Sequence, residues 1–176
     1  MKRLYPLLIA MIVSLVSCDN GEDAVVTNLT IVQAADVDVP IAPSQLVTPF
    51  TGADFSAITN FIDNINNVQN IEVTGIRYQF KNLSRPDPAM LINEYRINVL
   101  LVNIAIENTQ FNLVDRVNQG TVFEVNDPAI FSALAANLMI NDIVTVDTNG
   151  QYQDADGISN FFQIEVSIDV TVTSSP

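Results

Sequence analysis

The sequence predicts a mainly β, single-domain protein: an antiparallel β-sandwich or two-layer sheet carrying two short α-helices. Three observations lead there. From Phe162 to Thr173 the residues Phe162, Ile164, Val166, Ile168, Val170 and Val172 alternate strictly with polar ones, the period-two signature of a half-buried strand. Other apolar segments are bounded by Asn, Asp, Gly and Pro, the residues that break strands into hairpins. Two windows, about 54–65 and 128–140, carry apolar residues at helical spacing. A roll with both helices packed on one sheet is the alternative arrangement.

Taken in order, Val25 to Gln33 reads as the first strand, with Leu29 and Ile31 on one face. Asp36 to Ile41 alternates as well, and Pro40 suits an edge or a strand end. Pro43 and Pro49 mark extended chain around Leu46-Val47. Thr51-Gly52-Ala53-Asp54 resembles a capping box, and Phe55, Ile58, Phe61, Ile62 and Ile65 then recur on one helical face, so a helix is expected from Asp54 to Ile65. Ile71 to Phe80 follows as a strand whose inward parity switches at Gly75, as a β-bulge would make it do. Ser84 to Pro88 holds two prolines and reads as a loop.

Tyr95 to Glu107 is the most apolar stretch after residue 18. Its Val99-Leu100-Leu101-Val102 run breaks the alternation and predicts a central strand, buried on both faces or bent at its middle. Asn108-Thr109 is a turn into a strand over Phe111 to Val117, and Asn118-Gln119-Gly120 a turn into Thr121 to Val125. Asp127 as N-cap and Pro128 at the first helical position start the second helix, with Ile130, Phe131, Leu134 and Leu138 as its buried stripe. Ile143 to Val146 resumes strand, and Asp147 to Gly157 reads as a long turn before the last strand.

Composition excludes several chemistries. There is no histidine, which removes the usual general base, zinc ligand and Ser-His or Cys-His pair. There is no tryptophan, and the single cysteine leaves no internal disulfide. The fold must rest on its core, which a 48% hydrophobic composition can supply. All 20 acidic residues follow Cys18, and the region beyond it carries a charge of roughly −15, which repels nucleic acid and anionic lipid alike.

Residues 1–17 have a positive start at Lys2-Arg3 and an apolar run from Leu4 to Val13, too short to span a bilayer, and read as a secretory signal. Leu15-Val16-Ser17-Cys18 resembles a bacterial lipobox at all four positions. That resemblance implies cleavage before Cys18, lipidation of its sulfur and new N-terminus, and attachment to the membrane through this lipid anchor. Residues 18–24 then form an acidic tether, and its acids resemble the surface-export signals of Bacteroidota lipoproteins. The single β-rich domain occupies 25–176. An Asn-rich helix over Ile58 to Asn67, the strand Ile71 to Phe80 and the Asn82-Leu83-Ser84 turn also resemble the small acidic lipoproteins of that group. The likeness implies an outer-membrane location, periplasmic or surface-exposed, and carries over no catalytic residue.

Three kinds of site are expected from the residues. Asp147, Asn149, Gln151, Asp154 and Asp156 place oxygens at alternate positions and partly resemble an EF-hand-type calcium loop, though Tyr152 and Ile158 stand where its glycine and bidentate glutamate belong. A solvated hairpin loop is the plainer account of the same residues. Glu165 and Asp169 share one strand face, roughly 13 Å apart, wider than the carboxylate pair of a glycan hydrolase. Phe55, Phe61, Phe131, Phe161 and Phe162 are candidates to line a carrier cavity for an apolar ligand, or else fill the core. These residues favour a non-catalytic, lipid-anchored binding or structural component of the cell envelope, with no cofactor, no nucleic-acid partner and an envelope protein or glycan as the candidate partner; a secreted carboxylate-dependent glycan hydrolase and a carrier of a small apolar ligand are the alternatives.

Overall fold

The computed structural model describes residues 24–39, 47–54, 67–86, 90–141, 144–154, 157 and 159–175. The expected helix over 54–65 lies outside them apart from Asp54. Cys18, residues 19–23 of the tether, Asp156, Phe55 and Phe61 lie outside them too.

The described chain is mainly β with two helices. In order it runs β1 (Val25–Val39), β2 (Val47–Asp54), β3 (Val68–Lys81), β4 (Met90–Val99), β5 (Val102–Glu107), β6 (Phe111–Asn112), α1 (Leu113–Gln119), β7 (Phe123–Val125), α2 (Pro128–Leu138), β8 (Val146–Asp154) and β9 (Asn160–Ser174). All strands pair antiparallel in one sheet, ordered β5-β4-β8-β2-β1-β9-β3-β7, with β6 beside β4. The long central pair is β1 with β9, in register from Val25↔Ser174 to Val39↔Asn160. Along β9 the residues Phe162 to Val172 bury the face that their alternation foretold.

The sheet curls until its ends meet. β3 and β4 are far apart in strand order, yet the hydroxyls of Tyr78 and Tyr95 lie 2.7 Å apart and the Phe80 and Tyr95 rings 5.3 Å apart. Phe80 sits at the centre of this clasp, touching the rings of Tyr95, Phe111, Phe123 and Phe162. Helix α2 packs on both β3 and β5 and spans the remaining gap, burying Leu134 and Leu138. Its start is as expected, with the Asp127 carboxylate accepting from the Ala129 amide at 2.8 Å and Pro128 next.

β3 changes its inward parity between Val73 and Gly75 through a bulge, as the sequence foretold, and the bulge sets Gly75 opposite Asp169. Four expectations are corrected. The capping-box residues 51–54 are strand, and Gly52 and Ala53 pair with β1 on one side and β8 on the other. Tyr95 to Glu107 is a hairpin at the sheet edge, because Leu100 and Leu101 form its two-residue turn. Phe111 to Val117 yields only two strand residues before α1, whose first turn is capped by Asn112 accepting from the Asp115 amide at 3.3 Å. Gly120 ends α1 in the left-handed conformation. Finally, Asp147 to Asp154 is β8, a strand paired on both sides, not a turn.

The β4–β5 turn is unusual in its residues. Leu100 and Leu101 both have positive φ, 49° and 66°. A two-residue hairpin turn with positive φ at both positions favours Asn-Gly, and a leucine there pays roughly 1–2 kcal/mol because its Cβ crowds the next carbonyl. Leu100 turns inward and is buried, but Leu101 is 89% exposed. Leu101→Asn loses no core contact and should raise stability by about 1 kcal/mol. Chemical denaturation checks this, and an unchanged or lowered midpoint contradicts it.

Candidate functional site

Among the described residues, a concavity lies where β1 and β2 part. They pair only at Asp36↔Ala53 and Val37↔Gly52. Gly52 permits that contact, since a Cβ there would meet the Asp36 carbonyl and the Val37 side chain at 2.6 Å. Beyond it the strands diverge, and Pro49 in the diverging stretch of β2 has no N–H to donate. The resulting cleft has a volume of about 560 Å³, with Asp38 and Val39 on one side, Pro49, Phe50 and Thr51 on the other, and Ser84, Ser159, Asn160 and Phe161 across the end. A second hollow of about 410 Å³ shares Asp38 and Thr51 and continues over Asp36, Asp147, Thr148 and Asn149.

One wall is braced by a small network. The Ser84 hydroxyl donates to the Asn160 side-chain oxygen at 2.8 Å, and the Phe161 amide donates to both Ser84 Oγ and Asn160 Oδ1, at 3.0 and 2.8 Å. The Ser84 amide donates to the Phe161 carbonyl at 2.8 Å. Asn160 is 4% exposed, whereas Ser84 is exposed, so the network runs from the protein interior to the surface. On the outer sheet face, Gln163 Nε2 donates to Asp36 Oδ1 at 2.6 Å and orients that carboxylate. The cleft thus offers mainly acceptors, from Asp36, Asp38, Asp147, Thr51 and Asn149, and suits a ligand rich in hydroxyl or amine donors.

The expected site residues fall in different places. Strand alternation puts Asp147, Asn149 and Gln151 on the outer face, whereas Asp154 points inward and is buried. The stretch therefore does not wrap around one point as a calcium loop does. Among the described residues no group of three or more Asp, Glu or Cys converges as a metal site.

Glu165 and Asp169 do share the outer face of β9, but each meets its own cation. Lys81 Nζ lies 2.5 Å from Glu165, and Arg77 contacts both oxygens of Asp169, at 3.0 and 2.7 Å. Thr30 also donates to Asp169 at 2.7 Å. Of the phenylalanines, Phe162 is core, Phe131 is partly buried against it, and Phe161 lines the cleft.

No family model and no curated protein matches the chain. A solved structure from Desmodium yellow mottle tymovirus aligns over 100% of this chain and 95% of its own, at 9% identity and a TM-score of 0.37. A likeness at that level carries no functional argument, so function rests on this chain's own residues.

The strongest titration effect lies inside the clasp. Burial pushes the phenols of Tyr78 and Tyr95 up, and for Tyr95 the hydrogen bond with Tyr78 adds to the rise. An acid whose pKa is raised by folding stabilises the protein below its unfolded value, near pH 10, and that contribution is lost as pH climbs further. The denaturation midpoint should therefore fall above about pH 10, and fall less steeply in Tyr95→Phe. A wild-type midpoint flat through the alkaline range contradicts this. Half-buried Glu107 is held below its usual value by hydrogen bonds from Thr109 and Asn108.

Sequence inspection missed the cleft itself. The only signal was Asp36-Val37-Asp38-Val39 running into Pro40, which marked a strand end but not the partner strand that leaves it.

Proposed function

We propose that the protein is a lipid-anchored, non-catalytic component of the cell envelope, attached to the outer membrane, that binds a glycan or protein partner through its cleft. One observation carries this: Leu15-Val16-Ser17-Cys18, with the only cysteine in the chain, stands directly behind a charged start and a short apolar run. Lipidation there gives firm attachment, because each buried methylene adds about 0.8 kcal/mol and two or three acyl chains act together.

The path of β1 supports the binding role. The tether enters the strand at Val25, and Asp38 and Val39 near its far end line the cleft. Thirteen residue steps of strand separate Val25 from Asp38, up to about 43 Å. An anchor at one end thus holds the acceptor-rich cleft away from the bilayer. The cross-strand pairing of Glu165 with Lys81 and of Asp169 with Arg77 favours a structural role for those carboxylates over a hydrolytic one.

Cys18→Ala tests the proposal. The wild-type protein should sediment with membranes, whereas the variant should appear soluble or as uncut precursor. Membrane retention and processing both unchanged in the variant overturn it.

A further inference from the structure

We infer that Asn149 is a modification site: it deamidates spontaneously once β8 loses its partners, and strand pairing holds the reaction back in the folded protein. Nothing in this depends on the lipid anchor or on what the cleft binds. Two adjacent residues are under different constraints. Gly150 is fixed by packing, because a Cβ there would meet the Glu94 carbonyl oxygen at 2.2 Å and the Phe50 ring at 2.6 Å. Asn149 is exposed on the outer face of β8, where it lines the hollow of about 410 Å³. The fold thereby sets an asparagine directly before a residue that has no side chain to shield its amide nitrogen.

The chemistry needs only water and a base. The base takes the proton of the Gly150 amide, and the nitrogen attacks Asn149 Cγ. A C–N bond forms, and the bond from Cγ to the side-chain nitrogen breaks. That nitrogen leaves as ammonia, taking up a proton that balances the one the amide lost, and a succinimide ring joins the two residues. Water then opens the ring at either carbonyl. One opening gives aspartate, the other isoaspartate. No electrons are transferred, so the step requires no oxidant or reductant.

Strand pairing opposes ring closure. Gly150 stands opposite Phe50 in β2 and Tyr95 in β4, so its N–H is directed into one of two ladders. Asn149 is flanked in the same way, by Thr51 and Arg96. An antiparallel strand holds ψ near about +135°, and ring closure requires Asn149 to rotate about ψ out of that range. The reaction therefore runs through the molecules in which this part of the sheet is open. Its products then act on the fold. Aspartate at 149 adds a carboxylate to a hollow that already holds Asp36, Asp38 and Asp147. Isoaspartate is more damaging, because it adds a methylene to the backbone and disturbs the register of β8 with both neighbours. The close approach of β4 and Phe50 to Gly150 leaves no slack to absorb that length. A transient opening is thus converted into lasting damage.

Peptide mapping by mass spectrometry tests this on the full-length protein. Samples are held in mildly alkaline buffer, below the range in which Tyr78 and Tyr95 titrate, with and without enough guanidinium chloride to unfold the chain. The deamidated fraction of the peptide containing Asn149 is followed with time, and an isoaspartate-specific methyltransferase separates the two products. Asn149 should be modified in the denaturant, and more slowly by about tenfold or more in its absence. Equal rates in the two samples overturn the protection by strand pairing. An Asn149 that stays intact in the denaturant overturns the site itself. Refolding gives a second readout. After the same time unfolded and then dilution, wild type should recover less native circular dichroism than Asn149→Gln, whose longer side chain closes a ring far less readily. Both should recover fully when diluted at once, which guards against a folding defect in the variant. Equal losses in the two after prolonged unfolding overturn the damage assigned to Asn149.

Discussion

Phe80→Ala should lower the free energy of unfolding by about 3–5 kcal/mol, among the largest losses available from one core side chain. Phe80 is 2% exposed and lies where the curled sheet closes on itself. Its ring contacts Tyr95 from β4, Phe111 from β6, Phe123 from β7 and Phe162 from β9, with centroids 5.3 to 6.2 Å away. Truncation removes the ring's buried area and leaves a void among rigid aromatic neighbours that cannot collapse into it. α1 reinforces the same region by setting Arg116 over the Phe111 and Phe123 rings, at 5.8 and 5.7 Å. Urea denaturation followed by circular dichroism measures the loss. A change below about 1 kcal/mol would mean that the two ends of the sheet do not depend on this ring.

Gly150→Ala should be nearly as damaging, at about 3 kcal/mol, through overpacking. A Cβ at Gly150 would meet the Glu94 carbonyl oxygen at 2.2 Å and the Phe50 ring at 2.6 Å. The first contact is backbone, so relief requires β4 and β8 to separate. β4 is already irregular here, its register with β8 shifting between Ile92 and Glu94. Gly52→Ala, which meets the Asp36 carbonyl at 2.6 Å, serves as a second case of the same physics at the mouth of the cleft. A thermal melt compares each variant with wild type, and an unchanged Gly150→Ala midpoint contradicts the close approach of the two strands.

Gly150 also shows where the sequence misleads. Asn149-Gly150 is the dipeptide most associated with tight hairpins, and together with Asp147, Asp154 and Gly157 it marks a loop. In the fold the glycine serves close packing, and both edges of β8 find partners that are distant in sequence. The converse error occurs at Leu100-Leu101, which has none of the chemistry of a turn and yet reverses the chain. The seven-residue helix α1 contains Val114 and Val117 and has only one apolar residue fully buried, so its periodicity is too short to stand out.

What was legible depended on local physics alone. The β9 alternation, the parity switch at Gly75 and the Asp127-Pro128 start of α2 each follow from a handful of adjacent residues. The cleft depends instead on where β1 and β2 stop pairing, and the clasp depends on β3 and β4 meeting across the curled sheet. Neither relation is written in any single stretch.

Attachment through one sulfur atom is the centre of the proposed function, which holds the cleft away from the bilayer. Mass spectrometry of the N-terminal peptide of the mature protein tests it most directly. The account predicts a peptide beginning at Cys18, with diacylglycerol on the sulfur and an acylated amine. A peptide beginning at any other residue, or at Cys18 without acyl groups, would contradict it.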